Sequence, residues 1–308
     1  MSFTLCGVDM KFLVTGGAGF IGSNLVEELV KNNEIIVLDN LHTGSLDNLQ
    51  SVKNKITIIT SPCSDVLKID LLKKLSGIFH FGIPSSSPMY KKNPSLIGEA
   101  INEFIQILEL AKREGCKIVF ASSSSIYNGN PTPWKEDMSI RVTDFYTEAR
   151  YTMERLAKLY HDLYGVKSIG LRFFSIYGPK EEFKKEFANL ASQFLWAMKK
   201  GESPVIYGDG TQTRDFIYVK DVVDSCILAM NSDIDCDIFN VGTGKNYSLN
   251  HIIGLLNEML RTSIKPKYIE NQIKNYVQDT LADTTKARNE LEFKAKYSLK
   301  DGVKEIII

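Results

Sequence analysis

The chain has 308 residues, 44% of them apolar and 24% charged, and its 37 basic and 37 acidic side chains cancel to a formal net charge of zero. That length can bury a sizeable core, as one large α/β domain or as a domain with a smaller lobe. Balanced charge without a basic stripe argues against a nucleic-acid partner, and no apolar run reaches the roughly 20 residues that span a bilayer.

Residues 1–9 lack the basic start and apolar run of a signal peptide, and Met10 stands directly before the first apolar segment, so a short extension of little importance is expected there. Lys11 to Thr15 reads as a strand, followed by the glycine-rich turn Gly16-Gly17-Ala18-Gly19-Phe20-Ile21-Gly22 and a helix to about Lys31. Glu34 to Asp39 reads as the second strand. Glycines let the backbone turn sharply and approach a pyrophosphate, while the helix N-terminus offers free N–H groups and a positive dipole end. A carboxylate ending the second strand, Asp39, can accept hydrogen bonds from a ribose diol and repels a 2′-phosphate, so NAD is expected rather than NADP. Strand, turn, helix, strand and acid occur in the order the motif requires.

Further strands are expected at Ile56–Ser61, Gly77–Ile83, Lys117–Ser123 and Lys167–Ser175, and helices at about Asp65–Leu75, Pro94–Glu114 and Phe145–Tyr164. Continuous apolar runs such as Ile118-Val119-Phe120 fit strands covered on both faces, predicting an α/β fold with a doubly wound parallel (Rossmann) sheet. Ligands should then lie at the carboxyl ends of the strands. After Pro179 the alternation breaks. A charged stretch from Lys180 to Glu186 leads to a helix, a segment at Pro204–Gly210, another at Asp215–Val219, a helix over Asp221–Met230 and a strand at Asp237–Val241. A helix over Ser248–Arg261, a short strand near Lys267–Glu270 and small terminal helices follow. The expected organisation is a dinucleotide-binding domain over 10–179, to which 215–242 returns, and a smaller C-terminal substrate-binding lobe from 180–214 and 243–308. The apolar surplus on the helix from Phe145 (Tyr151, Met153, Leu156, Leu159, Tyr160) suggests a homodimer through a four-helix contact. Five scattered cysteines (Cys6, Cys63, Cys116, Cys226, Cys236) show no CxxC or metal-like spacing, so free thiols, no metal and a cytoplasmic location are expected.

Ser122-Ser123-Ser124-Ser125-Ile126-Tyr127 follows a strand, and Tyr146-Thr147-Glu148-Ala149-Arg150 opens a helix about twenty residues later. With Thr15-Gly16-x-x-Gly19-x-x-Gly22, Leu38-Asp39-Asn40, Ser64-Asp65-Val66, Leu171-Arg172-Phe173-Phe174, Tyr177-Gly178-Pro179, Tyr207-Gly208-Asp209-Gly210-x-x-x-Arg214-Asp215-Phe216, Phe239-Asn240-Val241-Gly242 and Ala282-Asp283, the sequence resembles the extended short-chain dehydrogenase/reductases. The likeness is to their NAD-dependent sugar-nucleotide epimerase/dehydratase branch, of the UDP-glucose 4-epimerase type, and runs over nearly the whole chain from Met10. The resemblance implies Tyr146 as the base, Ser123 as its hydrogen-bonding partner (with Ser122 and Ser124 as neighbouring options) and Arg150 where the family places lysine. It also implies Gly16, Gly19, Phe20, Ile21, Gly22, Asp39, Asn40, Asp65, Val66, Tyr146 and Arg150 around NAD. Around a nucleotide-sugar substrate it implies Ser85, Ser123, Tyr146, Ser175 and Arg214.

A phenol with an ordinary pKa of about 10 needs a nearby positive charge to act as a base, and arginine keeps the charge of the usual lysine with a bulkier planar head. Arg214 matches the family arginine on the diphosphate, for which bidentate guanidinium–phosphate geometry gives a reason. Asp65 has two readings, an acceptor for the adenine amino group or a helix N-cap. His80 reads as a packed strand-end residue, and Asp283 as a cap before Thr284 and Thr285. Other positions depart from the family: Ser175 for asparagine, Ala100 for a cofactor-contacting asparagine, and Ile273 with Lys274 where a second phosphate arginine is usual. Dehydratases carry Asp-Glu after the hydroxyl residue and decarboxylases carry glutamate at the Ser125 position. Ser124-Ser125 stands here instead, so hydride transfer without elimination, a 4-epimerisation, is the expected reaction. His80 to Tyr90 resembles a decarboxylase loop and keeps that alternative open, together with a dehydratase or a non-catalytic NAD-binding protein.

Overall fold

The computed structural model describes residues 10–272 and 274–307; the expectation for residues 1–9, Cys6 and Ile273 falls outside them. Strands β1 (Met10–Thr15), β2 (Asn33–Asp39), β3 (Thr57–Thr60), β4 (Gly77–His80), β5 (Lys117–Ser123), β6 (Ser168–Phe173) and, after four small strands, β11 (Cys236–Val241) form one parallel sheet. Their order is β11-β6-β5-β4-β1-β2-β3, so the chain reverses direction between β1 and β4. The small strands pair off: β7 (Ser175–Tyr177) with β10 (Phe216–Tyr218), β8 (Val205–Tyr207) with β13 (Lys267–Ile269), and β9 (Thr213–Arg214) with β12 (Tyr247–Ser248). Helices α1 (Phe20–Leu29), α2 (Ser87–Lys92), α3 (Leu96–Glu114), α4 (Phe145–Tyr164), α5 (Leu190–Lys199), α6 (Val219–Asn231), α7 (Leu249–Leu260), α8 (Thr285–Glu290) and α9 (Leu299–Ile307) surround it.

The main core runs through the sheet and its helices, from Leu13, Val14 and Val37 to Phe104, Phe120, Leu171 and Phe239. A second cluster joins Phe20 and Tyr177 to α5, α7 and α9 through Phe194, Ile206, Phe216, Ile252 and Val303. Both faces of β5 are buried from Ile118 to Ser123, which is why its sequence does not alternate. In register with β6, β5 carries Ser122 beside Arg172 and Ser123 beside Phe173 at the sheet's carboxyl edge.

α4 occupies the span expected of it. Asp144 caps it by accepting from the Thr147 N–H (2.8 Å), Thr147 bonds back to the Asp144 N–H, and Gly165 closes it in the left-handed region (φ +69°). The helix expected over Asp65–Leu75 does not form. A short 3-10 turn, Cys63–Lys68, stands there, and Ile69 is extended. Its inward residues Val66, Leu72 and Leu75 and the partly buried Ile69 recur every third position. An α-helix would carry such a row about 60° round its axis at each step, off the core face. The strand expected at Lys167–Ser175 divides into β6 and β7, and that expected at Gly77–Ile83 ends at His80.

Candidate active site

Two contiguous cavities lie at the carboxyl ends of the strands. The smaller, about 130 Å³, is lined by Gly16, Gly19, Phe20, Ile21, Gly22, Asp39 and Asn40, together with Gly82, Ile83, Leu96, Glu99, Glu103 and Lys184. The larger, about 420 Å³, is lined by Ser85, Ser123, Tyr146, Arg150, Ser175 and Arg214, with Asp144, Glu181, Lys91, Asn275 and Tyr276. Phe20, Ile21, Phe81, Ile83, Ser85 and Lys184 border both.

The glycine turn forms because its backbone leaves no room for side chains. Gly16 sits at φ +67°, where an added Cβ would stand 2.6 Å from Phe81 C and Gly82 N, and a Cβ on Gly22 would meet Gly16 O at 2.2 Å. α1 starts directly behind, with its N-terminus on the cavity. The Asp39 carboxylate accepts from Ala18 N–H (2.9 Å) and Leu41 N–H (2.7 Å). Burial nevertheless raises its pKa above the ordinary carboxylate value. Close-approach backbone, helix N-terminus and an acid at the end of β2 fit a dinucleotide with an unphosphorylated 2′-hydroxyl.

Asp65 and Val66 are not part of that lining. The Asp65 carboxylate accepts from Ser61 Oγ (3.2 Å) and pairs with Lys68 Nζ (2.8 Å), interactions that lower its pKa; no side-chain cap bond forms there, and Val66 is buried in the core. Asp65 thus stands on a short turn, its carboxylate held by Lys68 and Ser61. His80 is fully buried, bonded to Thr15 Oγ1 (2.8 Å) and stacked on Phe104, and burial pushes its pKa down to about 3. Asp283 accepts from the Thr285 N–H (2.8 Å), the expected capping contact.

Tyr146 and Arg150 lie one turn apart on the buried face of α4. The Arg150 guanidinium donates to Ala121 O (3.1 Å) and Pro84 O (2.8 Å), and its Cζ sits 4.9 Å from the centre of the Tyr146 ring. Its Nε is buried and has no hydrogen-bond partner among the described residues. A carboxylate partner is also absent among them. Arg150 therefore sets its positive charge beside the phenol ring and braces the Pro84 loop against α4. Tyr90 meets the Tyr146 ring edge-on at 5.6 Å.

The serine run resolves into separate duties. Ser122 Oγ donates to Glu154 Oε1 (2.5 Å) within a buried network in which Arg172 grips Glu154 bidentately (2.7 and 2.9 Å) and donates to Tyr127 Oη (2.5 Å). Tyr127 in turn donates to Asn240 Oδ1 (2.8 Å). Ser123 Oγ accepts from Ser125 N–H (3.2 Å), which leaves the Ser123 hydroxyl hydrogen available to a ligand. Two carboxylates reach the larger cavity, and both are committed to structure. Asp144 takes Ser87 Oγ (2.5 Å) besides its cap bond, and Glu181 takes Asn189 N–H (2.7 Å) and Ser192 Oγ (2.5 Å).

Arg214 is held by Thr213 O (2.7 Å) and Gln278 O (2.9 Å), with Tyr276 packed 5.3 Å from its Cζ. Asn275 ties this wall to the opposite side, accepting from Asn128 Nδ2 and donating to Thr143 O (both 2.9 Å). Composition and motif spacing did not single out Glu103, Lys184, Asp144 or Glu181; only the run from Lys180 to Glu186 marked Lys184's neighbourhood as charged. Among the described residues no group of acids, histidines or cysteines is arranged to hold a metal, and no helix is long and apolar enough to cross a membrane.

Residues 12–242 match the NAD dependent epimerase/dehydratase family. A putative UDP-glucose 4-epimerase of Methanocaldococcus jannaschii is 34% identical over 96% of both chains. UDP-glucuronic acid decarboxylase 5 of Arabidopsis thaliana is 33% identical over 97% of this chain and 88% of its own length. The structure of Thermotoga maritima UDP-glucose 4-epimerase with UDP-glucose superposes with a TM-score of 0.91 at 31% identity, covering 97% of each chain. On the strength of these matches, and of a glycine turn and Asp39 shaped for the dinucleotide, the chain belongs to the NAD-dependent epimerase/dehydratase family and uses NAD as its cofactor.

Proposed function

We propose that this enzyme epimerises C4 of a nucleotide sugar of the UDP-glucose/UDP-galactose type through a 4-keto intermediate. NAD held by the glycine turn and Asp39 would supply the hydride acceptor and donor for C4. Tyr146 takes the C4 hydroxyl proton, with the Arg150 guanidinium beside its ring. Ser123 donates its free hydrogen to the same sugar oxygen and fixes its position. Ser85 and Ser175 border the sugar, and Arg214, already aligned by two carbonyls, faces the diphosphate. Residues 180–214 and 243–308 serve as the substrate lobe.

The observation that carries the choice of reaction is that Ser124 and Ser125 stand where an elimination or decarboxylation would need acids, while Asp144 and Glu181 are held by structural bonds. Products are to be identified from a panel of UDP-, dTDP- and GDP-sugars with NAD supplied. Interconversion of 4-epimers supports the reading; carbon dioxide from a UDP-uronate or a 4-keto-6-deoxy product replaces it with a decarboxylase or dehydratase. The decarboxylase has its own support in the segment from His80 to Tyr90 and in the plant relatives.

Free buried thiols at Cys63, Cys116 and Cys226 suit the reducing cytoplasm. Leu159, Leu163 and Tyr164 are exposed on α4, which packs against α3, and this apolar strip supports a homodimer through the α3 and α4 pair. Sedimentation should give twice the chain mass, and Leu163→Glu should give monomers; a monomeric parent chain refutes the dimer.

A further inference from the structure

The residues that border both cavities include Phe20 and Ile21, the first two of α1, and one charged side chain, Lys184. That junction is where a pyrophosphate belongs. The smaller cavity holds Asp39 for the adenosine ribose, the larger holds Tyr146 for the opposite end of the dinucleotide, and the first N–H groups of a helix have no partner within it. Lys184 Nζ stands 5.7 Å from the Phe20 ring centre, which brings an ammonium beside the start of α1. Its carboxylate partner, Glu181 Oε1, is 3.4 Å away and belongs to a fully buried group that also accepts from Asn189 N–H (2.7 Å) and Ser192 Oγ (2.5 Å). Glu181 thus fastens the segment to α5, while the Lys184 side chain, 19% exposed, reaches from it to the cavities.

The charges on the two linings differ. Three acids, Asp39, Glu99 and Glu103, line the smaller cavity, and among the described residues Lys184 is the only lysine or arginine there. The larger cavity has Lys91, Arg150 and Arg214 besides. A pyrophosphate adds two negative charges to the acid-lined side, against which the glycine turn and the helix start offer N–H dipoles but no full charge. We infer that Lys184 is the counter-ion of the cofactor's pyrophosphate, reaching from the segment after Pro179 to complete a site whose other wall is backbone. NAD affinity then depends on the Glu181–Asn189 segment as well as on the glycine turn.

Calorimetric titration of the whole chain, freed of cofactor, with NAD and with ADP-ribose, which keeps the pyrophosphate and lacks the nicotinamide, tests this. Lys184→Met should weaken both ligands by the same factor, about tenfold or more, as expected for one hydrogen bond between charged groups. Lys184→Arg should restore most of the affinity. Lys185→Met removes an exposed neighbouring charge that lines neither cavity and should leave both affinities near those of the parent. Unchanged binding of NAD and ADP-ribose by Lys184→Met overturns the inference, and a loss found only for UDP added to the NAD-loaded chain gives Lys184 to the substrate's diphosphate instead. An equal loss in Lys185→Met also overturns it, since any nearby charge would then serve. Should Lys184→Met fail to fold, Lys184→Gln is held to the same outcomes. Because the readout is dinucleotide binding, it stands whether the enzyme proves to be an epimerase or a decarboxylase.

Discussion

Tyr146 and Arg150 show how one substitution changes a site's mechanics without changing its charge. A lysine would present one ammonium; Arg150 presents a planar fork already tied to Ala121 O and Pro84 O, with its face towards the phenol ring. Tyr146→Phe should lower kcat by about 100-fold or more, the usual contribution of a positioned acid–base group, while NAD binding measured by titration stays near that of the parent. Preserved kcat would remove Tyr146 from the chemistry. Arg150→Met should do two things at once: depress kcat and, by removing the bonds to Ala121 O and Pro84 O, lower unfolding free energy by about 1–3 kcal/mol, read from urea midpoints. Arg150→Lys should recover activity more than stability, since an ammonium restores the charge but not the fork. Recovery of stability alone would make Arg150 a brace and nothing more.

Elements explain which parts of the site were legible. The glycine turn, Asp39 and the Tyr146–Arg150 pair were readable because each depends on spacing within one element or one turn: β1 into α1, the end of β2, and i,i+4 on α4. The helix expected over Asp65–Leu75 was misread because its apolar residues recur every third position, and a short turn carrying Asp65 forms instead. Glu103, Asp144 and Glu181 meet the cavities only through pairing between distant elements, so no local pattern announces them. His80 was expected to pack, and it does, joining β4 to β1 through Thr15. Its consequence is a pH dependence. The folded histidine stays neutral down to about pH 3, whereas the unfolded one protonates near 6.5. Between these values the unfolded state binds the extra proton, so stability falls as pH drops, by up to about 1.4 kcal/mol per unit from this residue. Urea denaturation of His80→Gln from neutral pH towards pH 5 should show a shallower loss than the parent; an unchanged slope would mean that His80 takes up its proton in the fold.

Across the whole molecule, the sheet reversal between β1 and β4 puts the glycine turn and the serine strand on one edge, and the segments after Pro179 close over it. Asn275, bonded to both Asn128 and Thr143, ties the later segments to the loops around α4. Lys184, from the charged stretch, borders both cavities and packs 5.7 Å from the Phe20 ring centre, so the two cavities share a wall. That adjacency is what a hydride passed out and back requires. UDP-glucose carrying deuterium at C4, incubated with the purified chain and NAD, tests it most directly. The account predicts UDP-galactose with the deuterium still on C4; deuterium lost to solvent, or no galactose epimer at all, would contradict it.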